Sequence, residues 1–430
     1  MDKRGQARGP RTGIAALMAA MAVLGVAAAP AAVAAPGVEQ RQAQAWLPQP
    51  TGPYPVGTTA LHLVDTGRQD PWKPGQAREL MVSFWYPTTR PAHGDERARF
   101  MEPRAAGHFG GKDGASSFNY QAEPGRTDWS GIRTHARQDA PVLPGGAGAP
   151  RPVVLYSAGL GDPRTWGTGL VEDLASRGYV VVTVDHPYDA SEVAFPGGGM
   201  AESVLPPMFG QPGLDIGAVL RKVIQTRVDD TRFVLDQLAA LRTDGRLPAG
   251  LGASLDLGRI GMVGHSGGGS TAVQTMHDDP RIAAGVNMDG QLHFPGPDGT
   301  GVYLTSVAED GLDRPFLLMG SQSPDSGDYH RQPGWAALWQ HSRGWRADVT
   351  LTGSRHGSYT DAQSLLPQLA RQGAVSADAL RGDVGDVRPE RAVLATRAYV
   401  ASFFDRWLRG HDDHLLDGPS PRFPEMEFAR

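Results

Sequence analysis

Gly258-Arg259-Ile260-Gly261-Met262-Val263-Gly264-His265-Ser266-Gly267-Gly268-Gly269-Ser270-Thr271-Ala272-Val273-Gln274-Thr275-Met276 is the stretch from which the rest of the chain is read. Residues 260–263 are a short apolar run with strand character. Gly264-His265-Ser266-Gly267-Gly268 then turns sharply, and residues 270–277 continue with helical character. The turn has the form G-x-S-x-G. A serine on a strained strand-to-helix turn holds its hydroxyl clear of the backbone, as a nucleophile requires. Gly264 and Gly268 lack Cβ atoms, so strand and helix can approach closely. A helix that starts straight after the serine presents unpaired N–H groups and favours negative charge there. A chance serine in a glycine-rich turn needs neither flanking element, and both are present here.

The chain has 430 residues, 40% hydrophobic and 20% charged, enough for a large core. A formal net charge of −5 gives no sign of a nucleic-acid partner. Lys3, Arg4, Arg8 and Arg11 precede an uncharged apolar run over 13–29, and Ala32-Val33-Ala34 follows. This predicts a secretory signal peptide over 1–34, cut after Ala34 and leading to secretion, because a cut after Ala35 would leave Pro36 first. The run is too short and too rich in small residues for a membrane anchor. The remaining chain holds 37 basic and 45 acidic residues. There is no cysteine, so a thiol nucleophile and thiolate metal sites are excluded.

Residues 35–57 read as an extended lead-in, and 58–430 as one domain. Residues 61–65 and 80–86 read as two strands of an antiparallel hairpin at the sheet edge. Residues 88–150 read as an irregular surface insertion. Strand and helix then alternate: strands over 152–157, 179–185, 282–288, 314–320 and 347–351, and helices over 168–177, 216–241, 335–341 and 391–409. That alternation predicts an α/β fold with a mostly parallel, doubly wound sheet, flanking helices, and ligands at the carboxyl ends of the strands. The loop 193–213 carries Phe195, Met200, Leu205, Met208 and Phe209. It either shapes an apolar acyl pocket or lid, or packs as ordinary surface.

A serine nucleophile needs a base, an acid and an oxyanion hole. His356 lies in a loop straight after the last strand and can reach back over the sheet. His277 is expected to face solvent, and His411 and His414 to occupy a surface turn. Two aspartates compete as the acid. Asp289 ends the strand after the elbow, 23 residues beyond Ser266. Asp325 follows the next strand through a looser Ser-Pro approach. Asp289 is preferred for its rigid base, with Asp325 as the alternative. The Gly267 N–H is the expected first oxyanion donor. Leu160, in Ser157-Ala158-Gly159-Leu160-Gly161, is the expected second. No cofactor or metal is implied, and Asp298 in Gly296-Pro297-Asp298-Gly299 lacks the spaced carboxylates of a calcium loop.

Several stretches resemble the plasma-type platelet-activating-factor acetylhydrolase family. They are Ser157-Ala158-Gly159-Leu160-Gly161-Asp162-Pro163-Arg164-Thr165, Asp173-Leu174-Ala175-Ser176-Arg177-Gly178-Tyr179-Val180-Val181, Gly264-His265-Ser266-Gly267-Gly268, Met288-Asp289-Gly290 and Gly353-Ser354-Arg355-His356. The resemblance spans roughly 80–410. It implies an α/β-hydrolase fold, with Ser266 as nucleophile, Asp289 as acid, His356 as base, and Leu160 and Gly267 as oxyanion donors. One departure is Ala158, where the family often has histidine. The expected function is a secreted serine carboxylic-ester hydrolase acting through an acyl-enzyme on lipid-type or short-chain esters. Such substrates are compatible with brief contact at a lipid interface. A lipase or polyester hydrolase, a secreted serine peptidase and a non-catalytic binding protein are the alternatives.

Overall fold

The computed structural model describes residues 41–91, 93–144, 150–296 and 300–429. The expected signal peptide and the Asp298 turn lie outside them. The chain opens with β1 (Val56–Gln69) and β2 (Ala77–Pro87), then β3 (Arg97–Arg99), α1 (Pro103–Phe109), α2 (Ala115–Phe118) and β4 (Arg133–Gln138). Next come β5 (Arg151–Ser157), α3 (Thr168–Ser176) and β6 (Val180–Val184). The hairpin β7 (Glu192–Ala194) and β8 (Met200–Glu202) and the short α4 (Leu205–Phe209) lead into the long α5 (Ile216–Leu241). Then follow β9 (Leu255–His265), α6 (Gly267–Asp278), β10 (Ile282–Met288), the hairpin β11 (His293–Pro295) and β12 (Val302–Leu304), and α7 (Ser306–Asp310). The chain ends with β13 (Phe316–Ser321), α8 (Pro333–His341), β14 (Arg346–Leu351), α9 (Ala362–Ala370), α10 (Ala377–Val384), α11 (Pro389–Arg409) and β15 (Met426–Phe428).

Eleven of these strands form one sheet, ordered β15-β14-β13-β10-β9-β5-β6-β2-β1-β4-β3. The six from β14 to β6 run parallel, so their carboxyl ends open on one rim. β5 and β6 are apolar on both faces because helices cover both sides. Val154, Tyr156 and Val181 pack with Leu170 and Leu174 of α3 and Tyr399, Phe403 and Phe404 of α11. Val153, Leu155 and Val182 point the other way, into Leu235 and Leu238 of α5, Val273 of α6 and Trp335 of α8. α5 starts where the Asp215 carboxylate accepts from Ala218 N. α11 starts at Pro389 and ends at Gly410, whose φ of 70° is left-handed.

Two expectations about the chain before β5 need correction. The β1–β2 hairpin is antiparallel, but β4 and β3 lie outside it, so it is not the edge. The described residues of 88–150 also contain two strands and two α-helices and help to build a further core shared with Trp166 and α9. The Trp166 ring contacts Phe100, Phe109, Tyr120 and Trp129, and Leu365 and Leu366 of α9 close the cluster. These aromatics are too far apart in sequence to show a period, and their α9 partners arrive 199 or more residues later.

Candidate active site

Each expected site residue follows the carboxyl end of a parallel strand. Ser266 follows β9, with φ 54° and ψ −125°, a strained conformation for a residue with a side chain. Its neighbours make that turn possible. A Cβ on Gly268 would sit 2.0 Å from Ser157 O, and one on Gly264 2.2 Å from Gly268 O. Ser266 N donates to Met288 O at 2.8 Å, which ties the elbow to the end of β10. Asp289 follows β10, also at positive φ (60°), and its N–H donates to Met319 O on β13. His356 follows β14 on a short loop.

The three side chains form a line. Ser266 Oγ lies 2.9 Å from His356 Nε2, and His356 Nδ1 lies 2.7 Å from Asp289 Oδ2. A carboxylate only accepts, so Nδ1 carries the proton and Nε2 is free to accept from the serine hydroxyl. The Asp289 side chain is fully buried, whereas the His356 ring is half open to solvent. Asp289 also accepts from Ser321 N (2.9 Å), Ser321 Oγ (2.8 Å) and Ser326 Oγ. Burial pushes the Asp289 pKa up, but His356 and these donors outweigh it and hold it below the usual value. Burial pulls the His356 pKa down. The hydrogen bond and charge of Asp289, helped by Asp162 and Asp383, outweigh that and leave it raised.

Asp325 is exposed, while its neighbour Ser326 turns inward to Asp289. Leu160 N lies 3.6 Å from where a Cβ on Gly267 would be, so the Leu160 and Gly267 amides are neighbours. Among the described residues neither N–H has an acceptor. The Leu160 side chain, next to Gly267, packs against an apolar cluster of Leu220, Ile224, Val228 and Phe294, on which Phe209 and Ile216 also pack. The loop 193–213 thus has two roles. Phe209 packs against this cluster, while Arg104 of α1 donates to Phe195 O and Gly198 O. His277 does not simply face solvent, because it pairs with Asp278 and Asp310.

Three side chains near the Ser266–His356–Asp289 line escaped the sequence reading. His265, in the elbow itself, lies under the His356 ring at 4.5 Å between centroids and donates from Nε2 to His356 O at 2.8 Å. Burial, with the charge of His356, lowers its pKa to about 3, so it stays neutral. The Asp162 carboxylate accepts from Tyr120 OH (2.9 Å) and Asn119 Nδ2 (3.0 Å), and burial pushes its pKa up to about 6. Asp383 is raised to about 7 by burial. Only the His265 position inside the motif offered a signal. Asp162 comes from the loop after β5 and Asp383 from the last turn of α10. A group of possible metal-ligand geometry, Asp412, His414 and Asp417, lies exposed after α11 on a different loop from Ser266, Asp289 and His356. No helix among the described residues is long and apolar enough to cross a membrane.

A serine, histidine and aspartate in line at the carboxyl rim of a parallel sheet is the arrangement of the α/β-hydrolase class. Comparison with known proteins narrows the class. A family model described as platelet-activating factor acetylhydrolase, isoform II, matches residues 39–195. A solved ferulic acid esterase from Streptomyces cinnamoneus is 36% identical, with a TM-score of 0.68 over 90% of this chain and 99% of that one. A probable 1-alkyl-2-acetylglycerophosphocholine esterase from Arthroderma benhamiae is 28% identical over 89% of this chain and 93% of that protein. A platelet-activating factor acetylhydrolase from Cavia porcellus is 22% identical over 86% and 83%. The chain belongs to the α/β-hydrolase superfamily and resembles its platelet-activating-factor acetylhydrolases and ferulic acid esterase. It is an ester-hydrolysing enzyme.

Proposed function

We propose that the enzyme is a secreted serine esterase that acts on lipid-type or short-chain carboxylic esters through an acyl-enzyme. The observation that carries this reading is the hydrogen-bonded line from Ser266 Oγ through His356 to Asp289, at 2.9 and 2.7 Å. Ser266 Oγ attacks the ester carbonyl carbon as His356 Nε2 takes its proton. Asp289 stabilises the imidazolium, and the Leu160 and Gly267 N–H groups hold the oxyanion. The bond to the leaving alcohol breaks as His356 protonates it. Water, deprotonated by His356, then attacks the acyl carbon, and the proton returns to Ser266. The basic, apolar and small-residue order of residues 1–34 supports export.

A fluorophosphonate should label the wild type and fail to label Ser266→Ala, and Ser266→Ala should not hydrolyse p-nitrophenyl acetate. Labelling that survives in Ser266→Ala would refute the nucleophile. A second reading, an aromatic acyl ester such as a ferulate, is favoured by the 36% identity to a ferulic acid esterase. The apolar cluster around Leu160, Phe209 and Phe294 suits either acyl group. Comparing kcat/KM on methyl ferulate, nitrophenyl esters of rising acyl length and a short-chain phospholipid separates the two.

A further inference from the structure

Beneath the candidate oxyanion loop, residues 158–161, lies a buried ion pair that the mechanism above does not use. Arg227 projects from α5 and Asp189 from the loop after β6. Both are almost wholly buried. The guanidinium makes five hydrogen bonds. Nε and Nη2 donate to the Asp189 carboxylate at 2.5 and 2.9 Å. Nη1 donates to Ala158 O at 2.6 Å and, at 3.4 Å, to Ser157 Oγ, while Nη2 donates to Gly159 O at 2.9 Å. Asp189 Oδ1 in turn accepts from Gly161 N at 3.2 Å, at a residue whose φ is +76°. A buried ion pair is weak evidence for stability in itself, because desolvation offsets most of the attraction. Its geometry is the informative part.

Gly159 C=O and Leu160 N–H belong to one planar trans peptide, so they point in opposite directions. Pulling the carbonyl toward α5 aims the amide at the crevice beside Gly267. We propose that Arg227, held by Asp189, is a positioning residue that sets the direction of the Leu160 oxyanion donor. The proposal rests on Leu160 and Gly267 being the donors. The planar fork is needed, because it must meet two carbonyls and a carboxylate at once. A lysine offers one point of charge and cannot span them.

The test is a matched pair of substrates, an aryl acetate and the same ester with C=S in place of the scissile C=O. Sulfur accepts hydrogen bonds weakly, so the thionoester draws little from the oxyanion donors. The wild type should favour the oxo-ester strongly. In Arg227→Met, kcat for the oxo-ester should fall by roughly 100-fold, the low end for loss of one such donor, with KM within about threefold. The thionoester rate should fall much less, so the oxo-to-thiono ratio collapses by about tenfold or more. Arg227→Lys should show the same collapse, and it serves if Arg227→Met does not fold, with a thermal melt to verify folding. If either folded variant keeps the wild-type ratio, Arg227 is merely structural and the proposal is overturned. If the wild type itself shows no oxo preference, the donor assignment fails, and the proposal with it.

Discussion

Replacing Asp289 by asparagine keeps the size of the side chain and removes one charge and one acceptor. The surroundings decide how the amide sits. Oδ1 accepts from Ser321 N, a backbone donor that cannot turn round, so the amide oxygen must stay there. The NH2 then takes the place of Oδ2, against His356 Nδ1, now 2.7 Å away. Two donors cannot face each other, so His356 must move its proton to Nε2. There it can no longer accept from Ser266 Oγ. The variant thus loses both the correct tautomer and the charge that stabilises the imidazolium. The expected fall in kcat is about 10³- to 10⁴-fold, the scale of the equivalent change in other serine triads. At about 1.4 kcal/mol per tenfold this is roughly 4–5.5 kcal/mol of barrier. Hydrolysis of p-nitrophenyl acetate at pH 8 measures it, with a thermal melt to show that the fold is intact. Asp325→Asn, on an exposed residue, should stay within about twofold of wild type. A folded Asp289→Asn enzyme that keeps more than a tenth of wild-type kcat, or a larger loss in Asp325→Asn, would refute the assignment.

The proposed mechanism needs neutral His356, whose pKa is raised, so kcat/KM should climb with pH through that pKa. Asp383→Asn removes one of the charges that raise it, and the acid limb should move to lower pH; a move to higher pH would contradict the electrostatics. Arg78, fully buried, pairs with Asp230 at 2.7 Å and Asp70 at 2.8 Å. Arg78→Met leaves Asp70 buried without its cation and Asp230 with Arg68 as its remaining guanidinium, and should cost about 3 kcal/mol, the low end for a broken buried pair, in a denaturant titration; a loss below about 1 kcal/mol would show that the pair is dispensable. Burial pushes the Glu172 pKa up to about 8, while His135 N donates to the carboxyl at 2.7 Å. A pKa raised on folding contributes stability below the unfolded value, about 4.3, and loses it as pH rises through the folded value. The melting temperature of Glu172→Gln relative to wild type should therefore rise between pH 5 and pH 8, and an unchanged difference would show that Glu172 does not titrate there.

The parallel half of the sheet was legible because its strands are apolar on both faces and separated by amphipathic helices. The elbow was legible because two glycines flank the serine at positions where any Cβ collides with backbone. The hairpin edge was misread because β3 and β4 are short, polar strands, Arg97–Arg99 and Arg133–Gln138, with no hydrophobic alternation. The stretch 88–150 looked irregular because its core residues pack on α9, far along the chain. The Ser326 hydroxyl could not be foreseen beside an aspartate that itself looked like a rival acid.

The sequence alone supplied the candidate residues and their order: a serine on a strand-turn-helix, then an aspartate ending a strand, then a histidine in a loop. Those signals are local, since a tight turn and a strand end each leave their mark within a few residues. The tertiary structure alone shows which aspartate meets His356: Asp289 is buried under four donors, and Asp325 lies in solvent. It also brought Arg227, from a helix position 68 residues beyond Gly159, to the carbonyls of the candidate oxyanion loop. Hydrogen-bond geometry across that distance is set by how helices pack on the sheet, and no pattern of neighbouring residues encodes it.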